Sequence, residues 1–169
     1  TYTFSCSGLA NYIFDGIISE RNYFVQNQDF LNLVGNMYDG IVRNIYGVSG
    51  DEFIVISNNQ LGDLTLRQGD VKRLLIENIT YFGIDPTATP TSQKTTPTFE
   101  DGFNSHRLVR ISYTKSFVVD DIVIKDCNAT NSKLHAQIVI SKLPYSGGVF
   151  PAVYDGDGYI GKVTIDNVN

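Results

Sequence analysis

A two-part phrase recurs along this chain without being copied outright, and it constrains the fold more than any other feature. The first part is a short apolar stretch ending in Ile-Ser: residues 53–57 (FIVIS), 108–112 (LVRIS) and 137–141 (QIVIS). The second part places Ile two residues before Asn or Asp: residues 74–79 (LLIENI), 122–127 (IVIKDC) and 163–168 (VTIDNV). Each first part is followed by its own second part before the next pair begins. A repeating unit of this kind buries its apolar side against the next copy rather than against itself.

The stretches are strand-like. Ile54 and Ile56, Leu74 and Ile76, Ile122 and Ile124, and Val163 and Ile165 each leave one residue between them, the period of two that sends alternate side chains to opposite faces. With Val109, Ile111, Ile138 and Ile140 they are expected to point into one continuous apolar stack. No segment carries a convincing helical period. Between residues 17 and 30, Asn, Gln and Asp interrupt the apolar positions. Taking Asn44, Asn78, Asp126 and Asn167 as equivalent gives repeat lengths of 34, 48 and 41 residues. Two or three short strands with turns fill that length, and the excess falls in breaker-rich segments at 85–98 and 144–151. Asn and Asp at the shared position suit turns, because they tolerate the left-handed backbone region and can hydrogen-bond the next repeat. That role competes with glycosylation at the two N-x-T matches, Asn78 and Asn128.

Composition narrows the function classes. The 169 residues are 42% hydrophobic and 18% charged, with ten Tyr, ten Phe and no Trp, as expected for one strand-and-turn domain. A net charge of −5 and the absence of any Lys/Arg cluster exclude a nucleic-acid partner. No apolar run approaches 18 residues, so membrane insertion is not expected. Cys6 and Cys127 read as two buried free thiols, with a disulfide as the other reading. The chain opens without Met and stops directly after a repeat strand. It therefore reads as a single domain over 1–169, internal to a longer protein whose other parts would cap the repeats.

Asp39-Gly-Ile, then residues 50–56 (GDEFIVI), then Val109-Arg-Ile with residues 121–126 (DIVIKD), resemble the right-handed parallel β-helix proteins of the pectate-lyase and polygalacturonase kind. The likeness covers roughly residues 36–169. It is more similar still to divergent members in phage tail spikes and appendages. The resemblance implies an all-β, right-handed parallel β-helix of about four to five coils. Polygalacturonases carry, in order, N-T-D, a paired D-D, H-G and R-I-K. Asp39 stands near the first, Asp51 and Glu52 near the second, and Arg110 near the last. Ser112 replaces the lysine and no His-Gly lies between Asp51 and Arg110, so the resemblance implies the fold rather than that chemistry.

The repeat register nominates a site. Six residues before each repeat serine stand Asp51, His106 and His135; five before stand Glu52, Arg107 and Ala136. Adjacent strands lie about 4.8 Å apart, so Asp51 and Glu52 against His106 and Arg107 form a titratable cluster suited to acid/base work on a glycosidic bond. Residues just before a strand are also ordinary polar turn positions, and that reading stands beside the first. Asp120 and Asp121 are adjacent on a strand, so only one can face a groove. Residues 155–158 (DGDG) read as a turn rather than a calcium loop. Tyr145, Phe150, Tyr154 and Tyr159 around them can stack on sugar rings or cover the end of the repeat. With His135 they form the expected glycan-binding set.

The expected function is a glycan-engaging domain of a tail spike, appendage or related extracellular or virion protein. Hydrolysis of a cell-surface polysaccharide falls to Asp51, Glu52, His106, Arg107, Asp39 and Arg110. No cofactor and no metal are expected. The alternative is a non-catalytic shaft, associating as a homotrimer.

Overall fold

The computed structural model describes residues 4–19, 29–47, 49, 52–57, 69–82, 107–113, 117–129, 136–142 and 159–169. Eleven strands appear among them: β1 (Phe4–Cys6), β2 (Ala10–Asp15), β3 (Ile18–Ser19), β4 (Leu31–Val34), β5 (Met37–Gly47), β6 (Ile54–Ser57), β7 (Val71–Tyr81), β8 (Arg107–Tyr113), β9 (Val119–Ala129), β10 (Ala136–Lys142) and β11 (Val163–Val168). The described residues contain no helix.

The strands form two sheets with parallel pairing throughout. One sheet runs β1-β4-β6-β8-β10, and the other runs β2-β5-β7-β9-β11, with β3 also paired to β5. From β4 onward, successive strands fall alternately into one sheet and the other. This all-β arrangement of parallel sheets is compatible with a parallel β-helix. The repeat phrases map onto it directly: Ser57 pairs with Ser112 and Ser112 with Ser141. In the second sheet, Arg43 pairs with Glu77, Glu77 with Lys125 and Lys125 with Asp166. Asn44, Asn78, Asp126 and Asn167, each one residue further on, therefore share one row across four strands.

Those four residues hold left-handed backbone, with φ of 54°, 52°, 53° and 48°. A second left-handed row lies five residues earlier, at Asn11, Asp39, Arg73 and Asp121. The consequence is visible in what is buried. In β7 the fully buried positions are Val71, Leu74, Ile76, Ile79 and Tyr81. A strict strand would bury every second residue. Here the step lengthens to three wherever a left-handed residue, Arg73 or Asn78, intervenes. β5 and β9 follow the same spacing around Asp39 and Asn44, and around Asp121 and Asp126. Like a bulge, the left-handed residue bends the strand and resets which side faces inward. Each long strand thus turns two corners without turning its apolar side out.

Asn and Asp suit these corners because a short polar side chain offsets the strain locally. Asn78 Nδ2 donates to Asn44 Oδ1 at 2.6 Å, Asn44 Nδ2 to Asp15 Oδ1 at 2.7 Å, and Asn167 Nδ2 to Asp126 Oδ1 at 2.8 Å. Asn78→Ala removes a rung of this ladder and leaves a Cβ residue in left-handed backbone. It is expected to cost about 1–3 kcal/mol in chemical denaturation, with Asn78→Gly losing less.

One apolar cluster fills the space between the sheets. It includes Ile54, Ile56, Leu74, Ile76, Val109, Ile111, Ile122 and Ile124, all expected core positions. Ile138 and Val163 pack partly against it. Ile140 and Ile165, expected in the same stack, are instead 42% and 50% exposed. They sit on β10 and β11, the last strand of each sheet, where no further described strand covers them. At one corner, Phe53 stacks between Phe30 and Tyr81, with centroids 5.0 Å and 4.9 Å away. Ser49 Oγ hydrogen-bonds the Tyr81 hydroxyl at 3.1 Å. Cys6 and Cys127 are not joined in a disulfide; Cys127 is buried and Cys6 half-buried. Burial pushes the Cys127 thiol up to about 11.

Candidate functional site

Of the row expected at the head of the first sheet, the described residues Glu52, Arg107 and Ala136 stand in register. Ile54 pairs with Val109, and the Phe53 amide donates to the Arg107 carbonyl, which sets Glu52 opposite Arg107. Arg107 in turn pairs with Ala136. Glu52 is 2% exposed, and its Oε1 accepts from Arg107 Nη1 at 2.8 Å and from Arg110 Nη1 at 3.0 Å. Arg110 lies between the core residues Val109 and Ile111, so alternation sends its side chain to the opposite face of the sheet. There its Nε donates to Ser112 Oγ at 2.9 Å.

Asp29 joins this row, which sequence reasoning missed. Leu31 pairs with Ile54, and the Phe30 amide donates to the Glu52 carbonyl, so Asp29 stands opposite Glu52. The signal was available: residues 29–33 (DFLNL) echo 52–56 (EFIVI) as acid, Phe, apolar, any, apolar. Asp29 is also buried. A buried carboxylate needs compensating charge and hydrogen bonds, and the two guanidiniums supply them to Glu52. Glu52 is thus turned to the two guanidiniums rather than to solvent. The cluster ties β6 to β8.

Asp39 lies elsewhere, on β5 of the second sheet. It is an exposed corner residue that takes hydrogen bonds from Arg73 of β7, Nε at 2.5 Å and Nη2 at 2.9 Å. Those bonds hold its carboxyl below the usual range, as bonds from Asn44 and Arg43 do for Asp15. Asp70 is also lowered: burial opposes the shift, but Lys72 and the Val118 amide outweigh it. Depressed carboxylates contribute stability above their unfolded value near 4 and lose it as pH falls through the lower folded value. The melting temperature should therefore hold through neutral pH and fall below about pH 4. Asp70→Asn should flatten that fall in a pH series of thermal melts.

Asp120 and Asp121 both lie off the core between buried Val119 and Ile122, because the left-handed backbone at Asp121 breaks the alternation that would have sent them to opposite faces. Asp121 is an exposed left-handed corner. Asp120 Oδ1 accepts the backbone amides of Asp121 and Lys162 at 2.8 Å and 2.6 Å. Asp51, His106, His135, Tyr145, Phe150, Tyr154 and the turn at 155–158 lie outside the described residues.

Tyr159 is described, and it is 53% exposed. Its backbone carbonyl accepts the Val119 amide at 3.0 Å, which brings it to the start of β9. Close by, Lys72 pairs with Asp70 at 2.6 Å, and that bond raises the Lys72 pKa. Tyr38 is the strand neighbour of Lys72, and the Arg73 guanidinium stands 5.9 Å from its ring centroid. Tyr38 on β5 and the exposed Tyr159 by the start of β9 thus lie on either side of the Lys72–Asp70 pair in the strand order. Among the described residues, no three His, Cys, Asp or Glu side chains are grouped to hold a metal ion, and no helix is long and apolar enough to cross a membrane.

No protein-family model, curated protein or solved structure matches this chain. The likeness to pectate lyases and tail spikes rests on the residue pattern alone.

Proposed function

We propose that this chain is a right-handed parallel β-helix of four to five coils that binds a polysaccharide, as part of an extracellular or virion protein of the tail-spike or appendage kind. The observation that carries the reading is the placement of Tyr38 and the exposed Tyr159 on either side of the Lys72–Asp70 pair. Tyrosine rings offer sugars a flat apolar face at small entropic cost, and the charged groups between them can donate to and accept from hydroxyls. The charges there are mixed and the whole chain is acidic, at −5, which favours a neutral or amine-bearing glycan over a polyanion. The buried state of Glu52 favours binding over cleavage.

A glycan array followed by titration calorimetry tests this. The expected result is a neutral or amine-bearing glycan whose affinity falls about tenfold or more in Tyr159→Ala. Binding untouched in that variant would move the site away from these tyrosines. An array with no glycan retained would reject the reading, and release of reducing ends from a bound glycan would restore a catalytic one.

A further inference from the structure

We infer that the outer face of the second sheet docks a second copy of this chain, side by side and pointing the same way, with equivalent strands at equal heights. The inference goes beyond glycan binding and does not depend on it.

Down the middle of that face runs an apolar row in strand register: Ile13, Ile41, Leu75 and Val123, continued by Thr164. Ile13 is 60% exposed and the others are half-buried. Two rows flank it, one through the left-handed residues and one four positions further along each strand. On β5 they carry Asp39 and Arg43; on β7, Arg73 and Glu77. On β9 they carry Asp121 and Lys125, and at β11, Lys162 and Asp166. On these four strands the two flanks have opposite charge, and the sign alternates from each strand to the next; β2, the fifth, carries Asn11 and Asp15.

Alternation along a row is explained by pairing within the chain, such as Lys125 Nζ to Glu77 at 3.1 Å. Opposition across the apolar row is not, because the flanks stand roughly 13 Å apart, four residues of strand. It is explained by a partner. Two copies related by an axis parallel to the stack of strands bring the left flank of one against the right flank of the other at the same height. Each of the four levels then sets opposite charges together, and the apolar rows meet at the axis. An antiparallel pair brings like flank to like flank. Centred on β7, it sets Arg73 against Arg73 and Asp39 against Asp121, which repel. Centred between two strands, an antiparallel pair also matches opposite charges, but it overlaps four of the five strands of the face where the parallel pair overlaps all five; charge complementarity with full overlap selects the parallel arrangement. Five strands at about 4.8 Å give a face near 19 Å tall, well below a standard interface, so association should be in the micromolar range or weaker.

Sedimentation equilibrium of the whole chain, up to about 1 mM, tests this. Arg73→Glu or Glu77→Arg alone should weaken association tenfold or more. The double variant Arg73→Glu/Glu77→Arg should regain it, because glutamate then faces arginine across the contact, although each chain still lacks both internal pairs. Leu75→Lys should abolish association without altering either flank. Val123→Cys should crosslink to itself, as among the charge-matched arrangements only the parallel one places that residue opposite its own copy. Thermal melts check that each variant is folded. A monomer throughout the range, association indifferent to all the charge and Leu75 variants, or a double variant no better than the singles would overturn the inference.

Discussion

Glu52→Gln is expected to destabilise the protein by about 3–5 kcal/mol, because it leaves two guanidiniums gathered around a neutral amide in a covered site. Glu52 is 2% exposed, and the Arg107 side chain only 16%, so water cannot replace the lost charge. The Arg110 side chain, 30% exposed, is freer to turn outward. Arg110→Ala should therefore cost less than Glu52→Gln, and urea titration of the two variants would rank them. Equal small losses, under about 1 kcal/mol, would mean that the pairing behaves as an open surface bridge.

Phe53→Ala should cost about 3–5 kcal/mol, since Phe53 is fully buried and stands between two stacked rings. The cavity would open where the first sheet begins, with Phe30 losing its partner on one side and Tyr81 on the other. Tyr81→Phe, which keeps the stack and removes the hydroxyl that Ser49 hydrogen-bonds, should lose about 1 kcal/mol. Thermal or chemical unfolding of the pair separates packing from hydrogen bonding at one location.

Much of this architecture was legible because strands paired in parallel impose the same demand at the same place. The Ile-Ser endings at 57, 112 and 141 align, and so do the Asn/Asp positions at 44, 78, 126 and 167. The earlier strands were harder to read. β4 ends in Val34 rather than Ser, and at the place of Asn44 β2 is followed by Gly16, with φ of 70°. Glycine meets the left-handed requirement without leaving a side-chain signature. Arg73 was hidden for the opposite reason: nothing about an arginine suggests left-handed backbone, and only its neighbours in register, Asp39 and Asp121, reveal it. In the candidate site, the Glu52–Arg107 pairing could be counted from the repeat. The approach of Arg110 and the burial of the cluster depend on packing that no spacing records.

The two left-handed residues in each long strand always stand five apart, while successive strands of that sheet are offset by 28, 34, 48 and 41 residues. Sequence length is therefore free between strands and fixed within them. A residue inserted between Arg73 and Asn78 would turn Ile76 or its neighbours out of the interior, whereas the connections after β7 and β9 already differ in length by several residues. A lineage built on this plan can lengthen, shorten or exchange its loops, and whatever they recognise, while the strand grammar beneath them stays unchanged.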